Sequence, residues 1–218
     1  MIIDRRALIG TGLAATGLAL AAAPTIARAA PLPAAEGDMA LGSPKAGVQV
    51  VEYASLSCSH CAHWNNEVFP AFKTRFIDTG KVRYVFREYL TQPYAFAAAG
   101  YLLARRVGPA RYFEVIDTIF KQQAAIFDSD DQWGGLLKIG KGFGLTEAQF
   151  TAALEDKKAL AVVNARVEKA TVRDQIEVTP TFFVNGQRYE GGLAIETMAA
   201  AIAKAAASKP APSKPVKG

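Results

Sequence analysis

"VQVVEYASLSCSHCAHWNNEVFPAFKTRF", residues 48–76, decides how the chain is read. Its first seven residues are mostly β-branched and apolar with little alternation, which predicts a strand covered on both faces. Beyond Cys58, the apolar residues Trp64, Val68, Phe69, Phe72 and Phe76 recur at helical spacing, and Pro70 is expected to kink that helix. Thr79-Gly80 reads as a turn and "KVRYVFRE", 81–88, as a second strand. Residues 48–88 therefore read β-α-β, the unit of a parallel sheet. The two cysteines of the chain, Cys58 and Cys61, stand where strand gives way to helix, with Ser59 and His60 between them.

The pattern changes downstream. From Tyr94 to about Ile176 it is helical throughout, in five segments, with Gly108-Pro109 closing the first. At "LTEAQFTAALED" Thr146 is an expected N-cap with Gln149 three residues on, a capping box, and Leu145 can staple onto Phe150. Strands return at Thr181–Val184 and Gln187–Glu190, joined by an Asn185-Gly186 hairpin turn, with Gly191-Gly192 as a further turn or bulge. "IETMAAAIAKAAA" is a terminal helix. The order is β-α-β, a helical block, then β-β-α.

Composition bounds the class. Of 218 residues 50% are apolar and 21% charged, as expected of a globular protein with an ample core. Residues 1–29 read as a signal peptide: Arg5 and Arg6 precede a mildly apolar Ala/Gly/Leu stretch, Pro24 ends it, and Ala27-Arg28-Ala29 fits a small-x-small cleavage site. The arginine pair resembles a twin-arginine signal, with Sec export as the alternative and a retained anchor as a further one. That segment holds three arginines against Asp4, a net +2, so the formal +5 of the chain falls to +3 on its removal. Nothing in this charge pattern calls for nucleic acid. Residues 30–47, rich in Pro, Ala and Gly, read as a linker, and 208–218 as a disordered basic tail. The domain between them spans 48–207, with the helical insertion at about 94–176.

An exported chain meets an oxidising compartment, where thiols pair. Cysteines three apart close too small a loop to staple a fold, so a pair here points to chemistry. Residue types leave three readings open: a redox pair, half of a soft metal site with His60 and His63, or two buried thiols. Glu52 lies six residues before Cys58 in an apolar strand. It is either half-exposed or a buried carboxylate, which is costly without a partner or a task.

"CSHC" after a strand, "GLTEAQFTAALED" and "VTPTFFVNG" together resemble the DsbA family of exported thiol-disulfide oxidoreductases, over about residues 45–205. The resemblance implies an α/β, thioredoxin-like fold with a helical insertion. It makes Cys58 the nucleophile, its thiolate held by helix-start N–H groups, and Cys61 the buried resolving thiol. It also gives His60 the task of stabilising the thiolate, makes Pro180 cis and opposite the pair, and puts Glu52 beneath Cys61 as a proton relay. Thr179 and Ser59 are the expected substrate-side positions, with the Thr179 backbone pairing an extended segment. Ser59 stands where the family most often has proline. His63 is expected on the helix surface and Trp64 in the core or a groove wall. Arg87 and Glu88 border the pair without an assigned role.

The function so implied is donation of the Cys58–Cys61 disulfide to unfolded or newly exported proteins in the periplasm. A membrane DsbB-like, quinone-linked partner would reoxidise the pair. No cofactor, metal or nucleic acid is expected, and a monomer is. Thr179 before the proline keeps a disulfide isomerase or reductase as the alternative, and a periplasmic metal-handling protein is the reading from another class.

Overall fold

The computed structural model describes residues 30–208, so the expected signal peptide and the tail beyond 208 lie outside the described residues. Five strands form one mixed sheet: β1 (Met39–Leu41), β2 (Val48–Ala54), β3 (Val82–Glu88), β4 (Thr181–Val184) and β5 (Gln187–Glu190), in the spatial order β1-β3-β2-β4-β5. β2 and β3 run parallel and the other neighbours antiparallel, so the apolar run of β2 lies between β3 and β4.

The connection from β2 to β3 is helical throughout. It comprises α1 (Ser59–His63), a π-helical stretch Trp64–Val68, α2 (Phe69–Phe72) and a second π-helical stretch Lys73–Ile77. Pro70 falls in the first turn of α2, where its missing N–H is best tolerated. The disturbance expected at this proline therefore takes the form of changes in helical type. The insertion follows as α3 (Tyr94–Val107), α4 (Tyr112–Phe127), α5 (Gln132–Gly142), α6 (Glu147–Leu154) and α7 (Lys157–Arg173), and α8 (Ile195–Ala207) closes the fold. The capping box forms as expected, with Gln149 N–H donating to Thr146 Oγ1 at 3.2 Å and Thr146 N–H to Gln149 Oε1 at 2.9 Å. The architecture is the thioredoxin-like α/β fold with a helical insertion.

Alternation along the strands divides the core in two. Val50 and Ala54 join Trp64, Phe72, Phe86 and Phe182 in the larger cluster. Val51, Tyr53, Val85 and Phe183 face the other way, where Ala170 and Ile176 cover them. Trp64 is buried in the larger cluster, its ring 4.7 Å from that of Phe182 and its indole N–H donating to Leu193 O at 3.0 Å. It is core, not groove wall.

The reading of residues 30–47 as a linker is corrected. Met39–Leu41 is an edge strand in register with Phe86–Tyr84 of β3. Leu32 packs on the second face of the sheet, and Arg87 donates to Pro33 O at 2.6 Å and to Asp38 at 2.9 Å. Three residues are too few to show a strand's alternation, and their partners lie far along the chain.

Glu88, at the end of β3, is a buried ionic junction. Its carboxylate accepts from Arg105 of α3 at 2.5 Å, Arg166 of α7 at 2.9 Å and Tyr112 of α4 at 3.0 Å. One carboxylate thus ties three insertion helices to the sheet. Glu88→Ala is expected to cost about 3–5 kcal/mol of unfolding free energy, read by denaturant titration, because it strands those donors.

Candidate active site

The site forms at the carboxyl ends of β2 and β3. β2 ends at Ala54, and the chain turns through Ser55–Ser57, where Cys58 N–H donates to Ser55 O at 3.0 Å. Ser57 Oγ lies 2.9 Å from Thr91 Oγ1, and Thr91 N–H donates to Ser55 Oγ at 3.0 Å, so the turns after the two parallel strands are fastened together. Cys58 is the N-cap of α1, with extended φ/ψ of −86° and 118°. That geometry aims its Sγ back over the helix start, where it accepts from Cys61 N–H at 3.4 Å. On its other side the Cys58 thiol donates to Thr179 O at 3.3 Å. The Thr179–Pro180 bond is cis.

The two thiols differ in electrostatics because they differ in surroundings. Cys58 is partly exposed and its pKa is lowered to about 5. The largest cause is a hydrogen bond from the Cys61 thiol; the Thr179 side chain and the N–H groups of Cys61 and His60 add to it, against the burial that raises it. Cys61 is fully buried, and burial pushes its thiol well above the usual range. Beneath them Glu52 is 2% exposed and accepts from Tyr84 Oη at 2.5 Å. Burial raises its carboxyl to about 8, with the Tyr84 bond opposing and nearby Cys58 reinforcing the rise. An acidic, partly exposed thiol beside a buried, reluctant one suits stepwise thiol-disulfide exchange, and a carboxyl that holds its proton lies close to both.

The thioredoxin family's sequence profile matches residues 34–204, most of the described fold. The chain belongs to the thioredoxin family. Within it, the fold is that of the DsbA-like thiol-disulfide oxidoreductases: the solved alpha-DsbA1 of Wolbachia pipientis superposes with a TM-score of 0.72 at 26% identity, covering 82% of this chain and 94% of that one. A relative in Rickettsia conorii, provisionally named a protein-disulfide oxidoreductase, is 34% identical over 171 residues, 78% of this chain. This thioredoxin-family chain spans only 61% of that relative's length. Disulfide bond formation protein D of Bacillus subtilis is 27% identical over 166 residues, 70% of each chain.

Most of the residues singled out in sequence converge in this thioredoxin-family protein. Cys58 meets Cys61 and Thr179 directly, Pro180 follows Thr179 through the cis bond, and Glu52 couples electrostatically to both thiols. The side chains of Ser59 and His60 are exposed at the helix start, so His60 reaches Cys58 through its backbone N–H. His63 is exposed on α1, as expected. Among the described residues no three His, Cys, Asp or Glu side chains gather as a metal site. Arg87 and Glu88 turn out to fasten the N-terminal segment and the insertion, not the thiol pair. Sequence reading missed Tyr84 as the partner of Glu52, and Gln123 and Thr91 as anchors of the loop before Cys58. Each is a contact far apart in sequence. A buried Glu implies some partner, and this is the one available signal. The cis Gln92–Pro93 bond near Thr91 was likewise not foreseen.

Proposed function

We propose that this protein is an exported dithiol oxidase that passes the Cys58–Cys61 disulfide to folding proteins in the periplasm. The observation that carries the reading is the contrast between the two thiols: a partly exposed, acidic Cys58 beside a buried, reluctant Cys61. A substrate thiolate attacks Cys58 Sγ, the internal S–S bond breaks, and Cys61 leaves as a thiolate. Glu52, which holds a proton near neutral pH, supplies it to Cys61. A second substrate thiolate then attacks the substrate sulfur of the mixed disulfide and expels Cys58, whose thiolate is stable. Two substrate thiols become one disulfide, and the protein is left as the dithiol.

Several further parts of the reading rest on the resemblance. Pro180 and Thr179 would present backbone to an extended substrate segment, with Ser59 at its edge. A quinone-linked membrane partner would accept the electron pair and restore the disulfide. Residues 1–29 would direct export, and the mature chain would act as a monomer. No described helix is long and apolar enough to cross a membrane.

Disulfide isomerase or reductase is the second reading, and Thr179 ahead of Pro180 favours it. Oxidative refolding separates the two. The oxidised protein, mixed with a reduced and denatured disulfide protein, is expected to transfer close to one disulfide per molecule. Rescue of scrambled substrate alone, without transfer to reduced substrate, would overturn the oxidase reading.

A further inference from the structure

Gln123 has no role in the exchange chemistry, yet its placement is specific. It lies on α4 of the insertion, is 3% exposed, and reaches across to the loop that carries the thiol pair. Its side-chain Nε2 donates to Leu56 O at 2.7 Å and to Cys58 O at 3.2 Å. The two protons of one amide thus hold the two carbonyls on either side of Ser57. Cys58 O also accepts the first intrahelical bond of α1, from Ala62 N–H at 3.1 Å. The peptide that orients Cys58 as N-cap is therefore held from the helix on one side and from the insertion on the other.

We propose that Gln123 is a positioning residue, through which the helical insertion fixes Cys58 in the N-cap geometry that lets its sulfur accept helix-start N–H groups. An N-cap must keep extended φ/ψ while the next residue turns helical, and the bonds from Gln123 to the carbonyls on either side of Ser57 hold the chain at that break. Without the amide, the buried Leu56 carbonyl loses its side-chain donor and Cys58 O keeps only its helix bond from Ala62 N–H, so the loop relaxes toward other partners. Cys58 then drifts from the N–H of Cys61, already at 3.4 Å, and its thiolate loses support. Packing alone does not explain the arrangement, because the same interface has other fasteners that stop short of the thiol loop. Asn66 Nδ2 donates to Phe120 O of α4 at 3.2 Å, and Asn65 Nδ2 to Asp117 at 3.1 Å.

The inference rests on Cys58 being the attacking thiol. Its test uses no substrate, so it reads independently of whether the protein is an oxidase. The test is thiolate absorbance of the reduced protein against pH, with unfolding free energy measured alongside. Gln123→Met keeps volume and removes both donors; it is expected to make Cys58 a roughly tenfold weaker acid, as for loss of one hydrogen bond to a charged group. Gln123→Asn keeps the amide one methylene short and is expected to give a smaller change in the same direction. Asn66→Leu, across the same interface, is expected to lower stability and leave the thiolate midpoint in place. If Gln123→Met does not fold, Gln123→Asn decides. Unfolding losses in the Gln123 variants with the Cys58 midpoint unmoved would overturn the proposal and leave Gln123 as a packing contact.

Discussion

Replacing Cys61 with alanine is expected to leave a protein that captures disulfide-bonded substrates covalently and has lost its own means of releasing them. Cys58 is still partly exposed and acidic, so its thiolate still attacks a substrate disulfide, forming the mixed disulfide as the substrate S–S bond breaks and the other substrate sulfur leaves as a thiolate. The buried thiol that closes the internal ring and expels the mixed disulfide is then missing. Adducts should accumulate on non-reducing gels and disappear with reductant. Cys58→Ala should form none, because Cys61 is fully buried and its thiol is held protonated. Disulfide transfer should fall by about a thousandfold or more in Cys58→Ala, as for loss of a nucleophile. Adducts at Cys61 in that variant would contradict the assignment of roles.

The second large effect lies in pH. Reduced protein titrated by thiolate absorbance should show a midpoint near about 5, the depressed value of Cys58, where an ordinary thiol changes nearer 9. A depressed folded pKa means that the unfolded chain binds more protons between the two values, so stability from this thiolate rises with pH across that window and is lost as pH falls through about 5. The disulfide form has no such thiolate. The stability of reduced over oxidised protein should therefore widen as pH rises from about 5 toward 9. Glu52 acts with the opposite sign. Its folded value is raised from 4.5 to about 8, so the native state holds the extra proton and its contribution falls as pH rises between them. Glu52→Gln should remove that decline, which is cleanest in the oxidised form. A Cys58 midpoint close to 9 would remove the physical basis of the acidic nucleophile.

Much of this was legible because it is local. The β-branched run at 48–54, the helical spacing after Cys58, the capping box at Thr146 and the Asn185-Gly186 turn are each specified by neighbours in sequence. The last places φ at 44° and 85°, the left-handed pair a two-residue hairpin needs. Cysteines three apart at a strand-helix junction also announce their chemistry locally, since the first thiol of such a spacing falls at the N-cap. What escaped is non-local. β1 is three residues in a Pro/Ala/Gly stretch, and only its pairing with β3 makes it a strand. Tyr84 meets Glu52 because β2 and β3 lie in parallel register, and Gln123 meets Cys58 because the insertion folds back over the loop. Glu88 read as a border of the site because it lies at the site's end of the sheet. Only the three-dimensional course of α3 and α7 shows that its carboxylate serves them.

The central claim is that the protein stabilises its dithiol, through the Cys58 thiolate, enough to make the disulfide a strong oxidant. Equilibrating the reduced and oxidised forms in glutathione buffers measures this directly, with Cys58–Cys61 followed by thiol alkylation. Stabilising the reduced form raises the potential, so the account predicts a value near about −120 mV, that of a strong disulfide donor. A value near about −270 mV would mean that the dithiol is the form that gives up electrons, and would contradict the oxidase in favour of a reductase.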